Sequence, residues 1–456
     1  MKIIEDPMQA PEIDRLFKLM NFSTCNFLAV EAIRRELDRK GFQALEEQDD
    51  WQIQPGGKYY VVKNSSAIFA FIAGTKPVEE TGLRIISAHS DSPCFKLKPN
   101  CEIIGDGGVV SLNVEKYGGG IMYTWFDRPL SISGRVMVPG PDPLHPREIL
   151  VDLREAVATI PHLAIHFNRA VNEGNPLSVQ KDMKPVLGYF SHEELLTLAE
   201  ENMRFKEKPG VIRHLVARAI NRQGENIRPD DILDYELCLY PAEPMRLVGL
   251  HKEYFQSARI DDLSMAFAGL EAMLWECDSP AETTRVLAVF DNEETGSATK
   301  QGAHSPVLRH IVERMCLSMS TDRQAFYRTL ARSFMISADD AHAWHPNYNE
   351  KYDPTNHPVM GAGPVVKINA NCKYMTDAQG AAVFRSLCEK AGVELQYFVN
   401  HADVAGGSTL GNISSVQLDI PGVDVGCAIW AMHSAGETAS VADHLDMISV
   451  FREFYR

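Results

Sequence analysis

The chain has 456 residues, of which 45% are hydrophobic and 23% charged, and this composition excludes an intrinsically disordered protein. Its formal net charge of −16 at pH 7 argues against a nucleic-acid partner and against an anionic membrane surface, because both would repel it. The charge does not identify a substrate, since a basic pocket can lie inside an acidic protein.

The nine cysteines are scattered singly along the chain, and no two of them form a CxxC pair. This usage is typical of reduced thiols in a cytoplasmic protein and does not favour a cysteine-rich metal site. The acidic start of the chain lacks the apolar core of a secretory signal. The longest strongly apolar run, residues 67–73, is far shorter than the ~20 residues that a membrane helix needs.

The N-terminal region opens with a predicted helix. Ser23 or Thr24 can cap it, apolar residues recur on one face over residues 27–37, and Gly41 ends it. The strands predicted after this helix span residues 58–62, 67–73 and 83–88.

The pattern changes from residue 94 to about residue 244. Short β-type runs such as residues 130–138 alternate with Gly/Pro turns such as residues 139–143, and few long helical periods occur. We expect a β-rich insert in this part of the chain.

Helix and strand patterns alternate beyond residue 245. The predicted helices span residues 262–276, 377–391 and 441–455, and the predicted strands span residues 285–290, 334–337, 393–399 and 422–429. Thr376 is the predicted N-cap of the middle helix, and Gly392 ends that helix. Alternating β and α elements imply a mainly parallel sheet that is covered by helices on both faces.

These patterns together predict two domains. An α/β domain with a mainly parallel sheet is assembled from residues 1–93 and 245–456, and the β-rich insert of residues 94–244 interrupts it. A chain of this length has room for two or three folding units, and the change of pattern favours two.

Histidine and carboxylate residues come directly after several of the predicted strands. His89 and Asp91 follow the strand at 83–88, Glu293 and Glu294 follow 285–290, Asp339 follows 334–337, His433 follows 422–429, and Asp261 precedes a helix. Ligands of an open α/β sheet bind outside the carboxyl ends of its strands. Mixed imidazole and carboxylate donors suit zinc, cobalt or manganese better than calcium. The sequence therefore predicts a metal centre at this edge.

Each of these residues also has an ordinary explanation when it is taken alone. His89 and Asp91 could form a local hydrogen bond, Asp261 could be a helix N-cap, and His433 could be a core histidine. Adjacent glutamates are usually a solvated pair. In the metal interpretation, Asp91 fixes the tautomer of His89, and one of the two glutamates is a ligand while the other takes a proton from water.

Nine short motifs along the chain carry a family resemblance. In chain order they are HSDSP, YGGGIMYTWFDRPL, IPHLAIHFNRAVNEG, SARIDDL, DNEETGS, SADDAHAWHPNY, GPVVKINANCKY, GGSTLG and MHS. Together they resemble the M18 family of metallopeptidases, the aspartyl aminopeptidases. The similarity spans nearly the whole chain and implies a zinc-exopeptidase-like α/β fold with an insert that serves dimerisation or oligomerisation.

The resemblance implies a dinuclear zinc site with two ions per subunit, which Co²⁺ or Mn²⁺ can replace. His89 and Asp339 would hold one ion, Glu294 and His433 would hold the other, and Asp261 would bridge the two.

The resemblance also assigns the catalytic residues. Asp91 would orient the first histidine ligand. Glu293 would be the general base that activates the attacking water, a role that contributes ~10²–10⁴-fold to the rate.

The family releases N-terminal Asp or Glu, and its contact with the acidic side chain matches Lys367, a point charge suited to a carboxylate. Tyr374 matches a nearby substrate-contacting tyrosine. Gly407, Ser408 and Thr409 match a glycine-rich loop that lines the pocket, where close backbone approach suits glycine.

His166 matches a histidine that the insert contributes to the active site of a neighbouring subunit. From its local sequence alone, His166 would be a buried histidine in a strand. Family members assemble through the insert into homo-oligomers, commonly dodecamers.

The predicted function is therefore a cytoplasmic dizinc aminopeptidase acting on peptides with an acidic N-terminal residue. An aminopeptidase of the M42 type with another side-chain preference and a metal-dependent deacylase are alternatives. A non-catalytic shell-forming scaffold is the alternative from a different class. A buried Lys367 favours the enzyme for acidic residues over the two alternative enzymes, because a neutral or apolar specificity pocket would not favour a lysine.

Overall fold

The structure is a computed structural model that describes residue 4 and residues 6–202, 209–319 and 322–456. Within these ranges, none of the helices combines the length and the apolar character that crossing a bilayer requires.

The chain forms two compact units. The first contains the residues up to Ser92 together with Met245–Met432 and Gly436–Arg456, and the second contains Pro93–Pro244 and His433–Ala435. The predicted division into residues 1–93, 94–244 and 245–456 did not separate the short segment His433–Ala435 from its surroundings.

The described residues contain twelve α-helices. In chain order these are α1 (Pro11–Phe22), α2 (Asn26–Arg39), α3 (Val78–Thr81), α4 (Val179–Asp182), α5 (His192–Glu201), α6 (Val211–Asn221), α7 (Ile260–Glu276), α8 (Val307–Met319), α9 (Arg323–Arg332), α10 (Ala378–Ala391), α11 (Leu410–Leu418) and α12 (Val441–Tyr455).

Twenty strands are present in the same described ranges. They are β1 (Gln43–Ala44), β2 (Lys58–Lys63), β3 (Ala67–Ile72), β4 (Leu83–His89), β5 (Cys94–Ile104), β6 (Val109–Tyr117), β7 (Leu130–Val138), β8 (Arg147–Asp152), β9 (Val186–Tyr189), β10 (Asp234–Pro241), β11 (Arg246–Val248), β12 (Tyr254–Ser257), β13 (Thr284–Phe290), β14 (Phe334–Ala338), β15 (Ala341–His342), β16 (Val365–Ile368), β17 (Gln396–Val399), β18 (Gly422–Gly426), β19 (Ala428–Trp430) and β20 (Glu437–Ser440).

A nine-stranded sheet organises the first unit, in the order β1-β2-β3-β13-β4-β14-β18-β16-β17. Its central pairs β13–β4, β4–β14 and β14–β18 are parallel, as are the edge pairs β1–β2 and β16–β17. The pairs β2–β3, β3–β13 and β16–β18 are antiparallel. The predicted mainly parallel α/β fold is confirmed, with antiparallel strands on both sides of a parallel centre.

Both faces of this sheet are buried, because alternate residues of the same strand belong to different apolar clusters. On β3, Ile68 packs with α1, α2, α7 and α12, whereas Phe69 packs with α8 and α9. On β4, Ile86 belongs to the same apolar cluster as Ile68, and Ile85 belongs to the same cluster as Phe69. Helices therefore cover both faces, as predicted.

Two predicted N-caps are wrong. The helix predicted from Ser23 or Thr24 is α2, and its N-cap is Cys25, whose side chain forms no capping hydrogen bond. The N-cap of α10 is Asp377 rather than Thr376, and its carboxylate accepts the N–H of Gly380. A sequence gives several cap-forming residues in a row, and the turn before the helix decides which of them caps it.

The run at residues 422–429, predicted as one strand, is divided into β18 and β19. The first belongs to the nine-stranded sheet and the second to a five-stranded sheet of order β11-β12-β20-β19-β15. A continuous apolar run does not reveal such a change of sheet, because both halves are buried.

The second unit is built on a six-stranded antiparallel sheet of order β8-β7-β10-β5-β6-β9. Helices α4, α5 and α6 also belong to this part of the chain. Its apolar core includes Phe95, whose ring meets that of Trp125 edge-on at 5.1 Å.

The last helix, α12, buries a histidine in the core of the first unit. His444 is 2% exposed, and its ring lies edge-on to Phe255 at 6.1 Å. Burial lowers the pKa of His444 to about 4, because an imidazolium would lose its hydration there, and this exceeds the opposing effect of Glu12. The histidine is therefore held neutral in the folded protein.

This predicts an acid-side loss of stability that His444→Phe removes. An unfolded histidine has a pKa of about 6.5, so its neutral form contributes stability above that pH, and the contribution falls by about 3 kcal/mol as the pH drops from 6.5 through 4. The Tm of the wild type should fall more steeply over this range than that of His444→Phe. As a control, the exposed His304→Gln should keep the wild-type slope, and equal slopes for wild type and His444→Phe would refute the prediction.

Candidate metal centre

The candidate site lies at the carboxyl ends of three adjacent parallel strands of the first unit. His89 is the last residue of β4, Glu293 follows β13, and Asp339 follows β14. Asp261 enters from the start of α7, where it and Asp262 have non-helical backbone angles and share a cis peptide bond. Side chains that are far apart in sequence therefore meet at one edge of the sheet.

One imidazole and two carboxylates converge at this edge. Ligand atoms of His89, Asp261 and Asp339 all lie within 4.8 Å of one another, and the three side chains are buried. The Nε2 atom of His89 is 3.4 Å from Oδ1 of Asp261. Three such donors fit a zinc-like cation, which accepts nitrogen and carboxylate oxygen ligands together.

The ring of His89 is fixed by its neighbours. Its Nδ1 atom lies 2.9 Å from the carbonyl oxygen of Asp91 and 3.3 Å from the Asp91 carboxylate. The shorter contact makes Nδ1 the donor and leaves Nε2 facing Asp261 and Asp339. The backbone N–H of His89 donates to Asp262 at 2.9 Å.

The carboxylate of Asp91 has a second task that the sequence did not reveal. Its two oxygens accept the backbone N–H groups of Glu293 and Glu294, at 3.1 and 3.2 Å. One buried acid therefore positions the loop that carries both glutamates, and its backbone carbonyl makes the closest contact with His89. The spacing of the two residues in the sequence predicted only that Asp91 lies close to His89.

Asp261 is held by its backbone as well as by the helix that follows it. Its N–H donates to Glu437 at 3.1 Å, and its carbonyl oxygen accepts the hydroxyl of Ser92 at 2.9 Å. Carboxylate oxygens of Asp261 and Glu294 lie within 4.8 Å of each other. Asp261 is thus near His89 and Asp339 as well as Glu294, and it lies before the regular part of α7.

The site concentrates negative charge. Its acidic side chains are Asp91, Asp261, Asp262, Glu293, Glu294, Asp339 and Asp340. Burial and the neighbouring carboxylates Asp339, Asp91 and Asp261 raise the pKa of Glu293 to about 8, against the opposing effect of His89. The same causes hold the pKa values of Asp262, Glu294 and Asp340 well above their usual range.

Burial alone would lower the pKa of His89, but Asp262 and the hydrogen bonds with Asp261 and Asp91 hold it well above its usual range. Positive charge is therefore favoured at the centre of the cluster, and a divalent cation would provide it without protonating any group.

Two of these acids, Asp262 and Asp340, were missed by the sequence analysis. Asp340 is 3% exposed and accepts the hydroxyl of Ser264 at 2.8 Å, and Asp262 is fully buried. Each directly follows a predicted ligand, in the pairs Asp261-Asp262 and Asp339-Asp340. Two consecutive aspartates at a strand or helix end could have indicated them, but such a pair does not show which of its two residues faces the metal position.

The structure gives Lys367 on β16 a contact within the protein. It is 2% exposed, and its ammonium donates to the carbonyl oxygens of Asp339 and Asp340 at 2.7 and 3.2 Å and lies 3.3 Å from the Asp339 carboxylate. The buried Tyr374 ring lies 5.4 Å from Nζ. Burial opposes the charge of Lys367, but Asp339 above all, with Tyr374, Asp424 and Asp262, raises its pKa, so it stays charged. Lys367 and Tyr374 are therefore adjacent, and the lysine supports Asp339.

The predicted glycine-rich loop is exposed at Gly407 and Ser408. Gly407 lines a cavity of about 210 Å³ with His342, Phe398, Asn400 and His401. A Cβ on Gly407 would contact nothing within 4 Å, whereas one on Gly406 would lie 2.5 Å from the Asn400 side chain. Glycine is therefore required by the packing inside the protein at Gly406, and the role of Gly407 in lining the pocket stays a prediction.

His433 and His166 belong to the second unit. The carbonyl oxygen of His433 accepts the N–H of Ile121 at 2.9 Å, and its φ is 68°. His166 lies in an exposed turn, so the interpretation from its local sequence, a buried strand histidine, is wrong. Its predicted role toward another subunit remains a prediction.

The chain matches a known protein family along nearly its whole length. Residues 19–455 match the family described as aminopeptidase I zinc metalloprotease (M18). A probable M18 family aminopeptidase 2 of Clostridium novyi is 43% identical over 429 residues, which cover 94% of this chain and 95% of that protein.

Two solved structures share the fold. A chain of the cryo-EM structure of the Ape4 and Nbr1 complex superposes with a TM-score of 0.93 at 34% identity, and the match covers 100% of this chain and 87% of that one. The crystal structure of prApe1 gives a TM-score of 0.89 at 26% identity, with 97% and 94% covered. The match across nearly the whole chain, with the buried imidazole and carboxylate group, places this protein in the M18 family of metallo-aminopeptidases.

Proposed function

We propose that this M18 aminopeptidase releases N-terminal aspartate or glutamate from peptides and uses two zinc ions per subunit, which Co²⁺ or Mn²⁺ can replace. The observation that carries the proposal is the buried group of His89, Asp261 and Asp339 within 4.8 Å, beside the half-buried Glu293. A nitrogen donor, two carboxylates and a nearby carboxylate that is not among them are what a hydrolytic metal site needs.

The residues of the chain would divide between two cation positions. His89 and Asp339 would hold one ion, Glu294 and His433 the other, and Asp261 would be shared. The dense negative charge around Asp261 and Glu294 supports two positive charges better than one. When bound, such ions polarise the scissile carbonyl and make water more acidic.

Glu293 would then act as the general base. Its backbone N–H rests on the Asp91 carboxylate, which fixes where its side chain begins. The Glu293 carboxylate would take the proton from the attacking water and deliver it to the leaving amine. Asp91 thereby positions both the base and the neighbouring ligand Glu294.

The preference for acidic residues is proposed from the family resemblance and from the charge on Lys367. The buried ammonium already contacts Asp339, so an acidic substrate side chain would have to share it. Tyr374, whose ring lies beside Nζ, would line the same place. Gly407 and Ser408, both exposed, would form the opposite wall.

We further propose that the protein is a homo-oligomer formed through the second unit, with a dodecamer as the expected size. Leu163, Ile165 and Phe167 are 57%, 52% and 80% exposed around His166. Adjacent exposed apolar side chains of this kind mark protein interfaces. In that assembly His166 would reach the active site of another subunit.

A panel of amino-acid anilides tests the activity and its specificity. The purified protein should contain zinc and hydrolyse Asp- and Glu-anilide in preference to Leu- and Ala-anilide. Chelation should abolish turnover, and zinc, cobalt or manganese should restore it. Turnover of Leu- or Ala-anilide alone would refute the acidic specificity, and a metal-free, inactive protein would favour the scaffold alternative.

Glu293→Gln tests the general base. The variant should keep its metal content, because Glu293 is not a proposed ligand, and should lose ~10²–10⁴-fold in kcat. Glu294→Gln is the matched comparison, since it should lose metal as well as activity. If Glu293→Gln loses metal and Glu294→Gln does not, the roles of the two glutamates are exchanged.

Lys367→Met separates a selector of acidic side chains from a support for Asp339. A selector predicts a loss of kcat/KM about 100-fold larger on Asp-anilide than on Ala-anilide, with the metal retained. A support for Asp339 predicts equal losses on both substrates together with reduced metal content. The second outcome would remove Lys367 from the specificity pocket.

A further inference from the structure

Asp424 lies in the middle of β18 and is fully buried, yet it is not one of the acids around the metal centre. Its Oδ1 atom accepts the hydroxyl of Thr409 at 2.7 Å, and its Oδ2 atom accepts the backbone N–H of Met375 at 2.5 Å. Its own N–H donates to the hydroxyl of Thr376 at 2.9 Å. A buried carboxylate requires such donors.

These contacts join two segments that come from different parts of the chain. Met375 and Thr376 directly follow Tyr374, and Thr409 directly follows the exposed pair Gly407 and Ser408. The single carboxylate therefore connects both segments that the resemblance assigns to substrate binding. Asp424 belongs to strand β18, which is hydrogen-bonded between β14 and β16 in the nine-stranded sheet.

The local structure favours this link over ordinary capping. Thr409 is the N-cap residue of α11, a position where a threonine usually accepts a helix N–H, but its side chain forms no capping bond. Its hydroxyl instead donates to Asp424. A Cβ on Gly411 would lie 2.6 Å from Oδ1 of Asp424, so glycine lets the first turn of α11 approach the carboxylate.

We propose that Asp424 is a positioning residue for substrate binding, which fixes the loop of residues 406–409 relative to Tyr374. The inference rests on the proposed function, because the substrate-binding roles of Tyr374, Gly407 and Ser408 come from it. Asp424 contacts neither substrate nor metal in this role. It sets the distance between Tyr374 and the loop of residues 406–409, and the substrate would bind between them.

Thr409→Val tests the link while preserving side-chain shape, and Thr409→Ser retains the hydroxyl. Thr409→Val should raise KM about tenfold on the best anilide while kcat stays within about twofold, because a loosened wall weakens binding and leaves the metal centre intact. Hydrogen exchange of the amides of residues 405–411 should become faster, with unchanged metal content. Thr409→Ser should restore KM and exchange to near wild type.

Asp424→Leu removes both acceptors and should speed exchange at residues 374–376 as well as at 405–411; if it does not fold, the Thr409 pair decides. Thr329→Val is the matched control, since Thr329 is equally buried and donates to Ala325 at 2.8 Å within α9. It should change neither KM nor exchange in the two segments.

Unchanged KM and exchange in Thr409→Val would overturn the proposal, as would equal defects in Thr409→Ser. A fall in kcat with loss of metal would also overturn it, because Asp424 would then act on the metal centre. If the wild type hydrolyses none of the anilides, the proposed function fails on that observation. The exchange measurement still decides whether the hydrogen bond between Thr409 and Asp424 fixes the loop.

Discussion

Electrostatic repulsion among acidic side chains at the carboxyl edge of the nine-stranded sheet is the constraint on which the site depends. Asp261, Asp262, Asp339 and Asp340 are all buried there, and the half-buried Glu293 and Glu294 stand beside them. Burial first and the neighbouring carboxylates next raise the pKa values of these acids, to about 8 for Glu293. A protein can keep such a group together by protonating some of the carboxylates, or by opposing their charge with donors of its own or with a bound cation.

The fold supplies part of that opposing charge from the backbone. Asp91 receives the N–H groups of Glu293 and Glu294, so an acid is stabilised by the same loop that it positions. Glu437 does the same for the start of α7 through the N–H of Asp261. Lys367 adds a buried positive charge beside Asp339. The candidate ligands converge around His89 and Asp261.

Much of the fold could be predicted from the sequence, because the helix and strand periods of the first unit are regular. Helix α12 was predicted over its full length, and β13 and β14 to within one residue. Side-chain partners could not be predicted in this way. The sequence did not reveal that Lys367 contacts Asp339, and it placed Thr376 at a helix cap, whereas the Thr376 hydroxyl accepts the N–H of Asp424. Such pairings depend on strands adjacent in the sheet but distant in sequence.

Buried aspartates therefore have two different roles in this protein, and the groups packed around each one decide which role it has. The carboxylates of Asp261 and Asp339 face other ligand groups, and a cation would satisfy them. The carboxylates of Asp91 and Asp424 face backbone N–H groups and a hydroxyl, and their hydrogen bonds fix loops. Because a buried acid that lacks donors is costly, each loop-fixing acid also makes its loop conformation the one of lowest free energy. The acids that fix loops therefore determine where the candidate metal ligands lie.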